Sequence, residues 1–302
     1  MRPQKTPAGV GQGTGNPVIQ DGWGSVNSRH LRWGLRSRLA EYPTLYLPVA
    51  RIKYGQQVVG PEAKLVIDGF TRSGVTFAVI AFQAGQRTPV RVAHTLHAPG
   101  HVAAAVRRGI PTLVTIRDPE AAVLSAIIRE PYVTAEQGLR AWIRFYTHIL
   151  PYRDGFVLGQ FEEIVSDYGS VIRRINERFG TEFDEFVHSD QNVEMCFQII
   201  EDRARRPPWA DALGRFECGL IGLADYQKAV DGYGAAARLA PIPETRIPRP
   251  SAEREVMKEA IVAQLWGPSL RDLRVEARRL FAEYGGQITT PIDPGAGADE
   301  GD

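Results

Sequence analysis

Cysteine is scarce: in 302 residues only Cys196 and Cys218 carry a thiol, and they do not stand at metal-ligand spacing. A disulfide framework and a cysteine-based metal site are therefore not expected, and a reducing, cytoplasmic compartment is. Net charge is scarce as well. Lys and Arg number 36 and Asp and Glu 35, a formal balance of +1. That removes any bulk electrostatic case for nucleic acid or an anionic membrane as partner. Long apolar runs are missing, and none approaches the roughly 20 residues that cross a bilayer, so no membrane span is expected. Arg2 and Lys5 are not followed by an apolar stretch, so no secretory leader is expected either. The remainder is ordinary for a globular protein, 43% hydrophobic and 24% charged. Any basic site must be a local one.

The chain divides into three parts. Residues 1–27 are rich in Gly, Pro, Gln and Asn and read as a disordered arm; residues 289–302 read as an acidic, Gly-rich disordered tail. Residues 28–288 are expected to form one domain. Leu31, Leu35 and Leu39 recur at helical spacing, and Tyr42-Pro43 is expected to end that helix. Strands are expected at Lys64–Gly69, Pro89–His94, Thr112–Ile116 and Gly155–Phe161. Helices are expected at 74–84, Pro99–Arg108, 118–128, Ala135–Leu150, Tyr168–Phe179 and Asp190–Arg205. Residues 206–250 carry repeated prolines and read as loop, and Ala252–Tyr284 as helix broken near Gly267-Pro268. Alternating strands and helices imply an α/β fold: three layers around a central, mostly parallel sheet. Ligands of such sheets sit beyond the carboxyl ends of the strands.

Three segments at those ends carry chemistry. The apolar run Leu65-Val66-Ile67 stops at Asp68-Gly69, and Phe70-Thr71-Arg72-Ser73-Gly74-Val75-Thr76-Phe77 leads into a helix. A strand–loop–helix junction of this kind presents unpaired N–H groups at the positive end of a helix dipole, which suits a phosphate-like anion. A Walker-type nucleotide loop needs a Lys where Val75 stands. The second segment is Arg117 at the end of a strand, with Ser125 eight positions on. If Asp118 caps the intervening helix and Pro119 opens it, Ser125 lies about two turns in. A planar guanidinium and a hydroxyl can then grip one phosphate. The third is His94-Thr95-Leu96-His97-Ala98-Pro99, where a neutral imidazole can take a proton from a hydroxyl. Each segment taken singly also fits an ordinary turn.

Taken in order, the three resemble the sulfotransferases that use 3′-phosphoadenosine 5′-phosphosulfate (PAPS). The resemblance is good over about residues 60–185 and weak to about 284. Gly69–Phe77 resembles the family's 5′-phosphosulfate loop, Arg117 to Ser125 its 3′-phosphate motif, and His97-Ala98-Pro99 its K-T-H-x-P segment. Phe161-Glu162-Glu163 resembles its Y-E-D, with Phe179-Gly180 closing the next helix. The resemblance implies a sulfotransferase fold of the P-loop nucleotide-hydrolase type and a metal-independent sulfuryl transfer to a hydroxyl or amine of a small-molecule or glycan acceptor. Catalysis would fall to His97 as base and Arg72 at the leaving 5′-phosphate. Ser73, Gly74, Val75 and Thr76 would cradle that phosphate, Arg117 and Ser125 would hold the 3′-phosphate, and Phe77 and Phe161 would border the adenine.

The chain also departs from the family. Val75 replaces a Thr, Thr95 stands where a Lys is usual, and no G-x-x-G-x-W-K segment is present. Arg246, Arg249 and Arg254 are alternatives for its role, and His94 is an alternative base; Trp142, Trp209 and Tyr226 could pack an apolar or sugar acceptor but are better expected as core or surface anchors. A nucleotide-binding module that has lost catalysis is the competing expectation. A homodimer is compatible with the chain, with no seam legible in it.

Overall fold

The computed structural model describes residues 33–286 apart from 206, 234–240, 242, 247, 248 and 250. The expected arm and tail lie outside the described residues. Four strands, β1 (Leu65–Gly69), β2 (Val92–His94), β3 (Thr112–Ile116) and β4 (Val157–Gln160), form one all-parallel sheet in the order β2-β1-β3-β4. β1 and β3 are buried along their whole length. This is why Leu65-Val66-Ile67 and Thr112–Ile116 read as β-branched and apolar runs rather than as alternating ones.

The period of two along each strand assigns the layers. Ile67 pairs with Leu113, and both join the core formed with α3 (Val75–Gly85), α8 (Tyr168–Phe179), α9 (Asp190–Arg205) and α10 (Ala210–Glu217). Val114 and Ile116 turn the other way, against α5 (Pro119–Arg129), α6 (Ala135–Ile149) and α13 (Arg271–Glu283). Val66 and Ala93 turn towards α2 (Pro43–Tyr54) and α4 (Pro99–Arg107). The sheet is thus covered on both faces. α7 (Phe161–Ser166), α11 (Leu223–Gly232) and α12 (Ala252–Trp266) complete the described α-helices, with α1 at 33–39.

The structure corrects several readings of element boundaries. Pro43 does not merely end a helix; it opens α2, at a first-turn position where its missing N–H costs nothing. The stretch 206–250 is not simply loop. Its prolines sit at its ends, and between them α10 and α11 bury Leu213, Phe216 and Tyr226. β4 is shorter than expected, because Phe161 starts α7, where Gln160 and Glu163 form a reciprocal cap. β2 begins at Val92, not at Pro89. Trp142, Trp209 and Tyr226 are core residues, 0%, 6% and 3% exposed, as expected of core anchors, and line neither of the two cavities described below.

The order β2-β1-β3-β4 has a functional consequence. The chain leaves β1 for one neighbour and later returns to the other. A crevice therefore opens beyond the carboxyl ends of β1 and β3, the topological switch point where ligands of open α/β sheets bind. The loop after Gly69 and the turn at Arg117 both emerge there.

Candidate functional site

The β1–α3 loop is built by close packing. A methyl group on Gly69 would stand 2.3 Å from Thr115 Oγ1 and 2.4 Å from the Thr115 carbonyl, so only glycine lets β1 and β3 approach there. Gly74 has φ +94 and is the N-cap of α3, with no side chain capping that end. The first N–H groups of α3 lack helical partners and open on a cavity lined by Gly74, Val75, Thr76 and Phe77. Ser73 behaves differently from its expected part in the cradle. It is fully buried, and its hydroxyl donates to the Phe70 carbonyl at 2.5 Å and lies 2.7 Å from Thr115 Oγ1. Its N–H also points to Phe70, 3.3 Å from that carbonyl oxygen. Ser73 shapes the loop from inside, and the outward groups belong to Gly74 to Phe77. Val75 is 2% exposed, so the position a Walker lysine would need faces the core.

The second turn meets this loop directly. Asp118 caps α5 by accepting the Ala121 N–H at 2.9 Å, as its place before Pro119 predicts. Ser125, two turns on, accepts from Arg72 Nε at 2.9 Å and from Arg254 Nη2 at 3.4 Å. Arg117 Nη1 donates to the Arg72 carbonyl at 3.4 Å, and its guanidinium lies 3.8 Å from the centre of the Phe161 ring. Arg72, Arg117, Ser125, Phe161 and Arg254 line the same cavity of about 440 Å³ as the α3 N-terminus. Phe77 lines it too, held by Phe197 at 5.5 Å between ring centres.

Positive charge is concentrated here: Arg72, Arg117, Arg249, Arg254 and Lys258 line the cavity, with Glu255 as the acidic side chain among them. Burial pushes Arg72 down to about 9, with Arg254, Arg129 and Arg117 adding repulsion. Burial lowers Arg117 too, against the pull of Glu162, Asp118 and Glu255. Guanidinium groups do not lose their protons at neutral pH. A bound oxyanion would relieve the repulsion among these cations.

His97 stands where the two turns meet, at φ +50. Its N–H donates to Asp68 Oδ1 at 2.9 Å, and its Nδ1 lies 2.8 Å from the Gly69 carbonyl. A carbonyl can only accept, so Nδ1 carries the proton and Nε2 keeps its lone pair, with no partner among the described residues. Burial lowers the His97 pKa, opposed by Asp68 and the Gly69 carbonyl, so the imidazole is neutral at pH 7. His94 is not its rival. It is fully buried, with Nδ1 2.8 Å from Thr95 Oγ1 and Nε2 3.7 Å from Cys218 Sγ.

Asp68 is the site residue the sequence reading passed over. Fully buried at the end of β1, it accepts the N–H groups of Gly69 and His97, each at 2.9 Å, and His101 Nδ1 at 2.8 Å. The signal was available: one carboxylate inside an apolar strand must be satisfied by its neighbours. Arg203 gave no such signal. It arrives from α9, 3.4 Å from Thr76 Oγ1 and 3.3 Å from Glu217 Oε1.

Next to the first cavity lies a second of about 370 Å³. Thr71, Arg72, Thr76, His97 and Ile200 line both. Of the three C-terminal arginines, Arg254 is the one beside Ser125. Arg249 lines the first cavity but is held by Glu194 and Glu201, and Arg246 lines the second. Comparison with family models, with curated proteins and with solved structures found no match to this chain.

Proposed function

We propose that the protein is a PAPS-dependent sulfotransferase. The observation that carries this reading is the pair of cavities meeting at Arg72, Thr76 and His97. One of them joins a helix N-terminus to a cluster of guanidinium groups. A ligand with two separated oxyanions fits it: the N–H groups of Gly74 to Phe77 for one, and Arg117, Ser125 and Arg254 for the other. PAPS held there would supply a sulfuryl group on a 5′-phosphate leaving group. Nε2 of His97 accepts the proton of the acceptor hydroxyl, while Nδ1–H keeps the ring oriented on the Gly69 carbonyl. Arg72 and the start of α3 offset negative charge gathering at the junction of the cavities.

A nucleotide-binding module without transfer is the second reading. It draws on Thr95, which offers no cation beside Arg72 and whose hydroxyl lies against His94. Transfer of radiolabelled sulfate from PAPS to a panel of hydroxyl and amine acceptors separates the two. Product above the no-enzyme rate supports the transferase, and none across the panel, despite bound nucleotide, supports the module.

A further inference from the structure

The second cavity has a chemical character of its own. Several of the cations on its wall are already engaged. Arg144 is paired with Glu41, and Arg203 with Glu217. Arg36 donates to the Leu96 carbonyl and lies over the Tyr54 ring. Arg129 and Arg246 form no ion pair among the described residues. Arg129 Nη1 donates only to a neutral partner, the Arg246 carbonyl, at 2.9 Å. Burial lowers Arg129; Glu130 opposes this, while Arg246, Arg203 and Arg254 add repulsion. Trp33, Phe70 and Phe145 supply flat apolar wall. A volume of about 370 Å³ is near the lower end for small-molecule sites.

We infer that the acceptor is a small anion: a hydroxyl-bearing ring compound with a carboxylate that lies against Arg129 and Arg246 while its hydroxyl reaches His97. This rests on the sulfuryl-transfer reading. The apolar wall takes the ring, and the arginine pair selects the charge. An uncharged acceptor would add no counter-charge to the Glu130 carboxylate, which lines the same cavity and already opposes Arg129.

The test uses the full chain and a panel of phenol carboxylates, each with its uncharged methyl ester. Transfer from PAPS is expected to favour the acid by about 10-fold or more in kcat/KM, mainly through KM, the worth of a hydrogen bond to a charged group. Arg129→Gln and Arg246→Gln, on separate elements, should each collapse that preference. Equal use of acid and ester, or a preference that survives both substitutions, overturns the inference and leaves the transferase reading standing. If no acceptor turns over, binding decides, followed by saturation-transfer NMR on the same protein. Selective binding of the acids, lost in Arg129→Gln, supports the anion site although transfer has failed. Equal binding of acid and ester, or binding of neither, overturns it.

Discussion

At the scale of single residues, the site depends on which groups are turned inward. His97 and His94 are three positions apart, yet one presents a lone pair to two cavities and the other is sealed among Thr95 and Cys218. His97→Ala should slow transfer by about 10²–10⁴-fold, and steady-state rates check it; near-normal turnover removes His97 from the mechanism. Because burial lowers the His97 pKa below 6.5, the base form dominates at neutral pH. The rate should rise with pH along an acid limb below 6.5 and then level off, as kcat/KM profiles will show. His94 acts on stability instead. Burial first, then Arg203, His101 and His97, hold its pKa well below 6.5. On acidification the unfolded chain takes up that proton first. Its contribution to stability is therefore full above about pH 6.5 and is lost as pH falls from there, by up to about 1.4 kcal/mol per pH unit. Urea unfolding between pH 7 and 5 should show a slope steeper by about one proton in the wild type than in His94→Gln. Equal slopes would contradict a neutral, buried His94.

At the scale of elements, two backbone features hold the anion loop. Gly74 at φ +94 turns the chain into α3, and a Cβ there would lie 3.2 Å from the Phe161 ring. Gly74→Ala is expected to cost about 1–2 kcal/mol, measured by chemical denaturation. Asp68 joins the end of β1 to the His97 loop and to α4. Asp68→Ala leaves three donors buried without their acceptor and should cost more than about 3 kcal/mol; a loss under 1 kcal/mol would show that Asp68 is not what holds these loops. Much of this level was legible in the sequence. β1, β3 and α5 follow from apolar runs and the Asp118-Pro119 cap, and they bring Arg72, Arg117 and Ser125 together. What was not legible lies where local signals run out. Pro43 favours a helix start as readily as a stop. The prolines around α10 and α11 hid two helices whose stability comes from packing against a distant core. The inward turn of Ser73 depends on Thr115, which no local pattern announces.

At the scale of the whole molecule, sheet order decides what the residues can do together. With β1 and β3 adjacent and parallel, Gly69 beside Thr115, the glycine loop and Arg117 open onto one crevice. Strands in another order would have left the same motifs on separate walls. Arg203, Arg249 and Arg254 come from the C-terminal third, and only the tertiary fold brings them to that crevice. No helix among the described residues is long and apolar enough to cross a membrane. The cation cluster makes binding and stability one question, because an anion that relieves the repulsion binds the folded state alone. At a hundred times its Kd such a ligand stabilises by about 2.7 kcal/mol. The most direct measurement is therefore calorimetric titration with adenosine 3′,5′-bisphosphate against adenosine 5′-phosphate, in wild type and Arg117→Ala. The account predicts that the bisphosphate binds at least about 10-fold more tightly than the monophosphate, the worth of one charge-assisted phosphate contact, and that Arg117→Ala erases the difference. Equal affinity for the two nucleotides, or a preference untouched by Arg117→Ala, would contradict it.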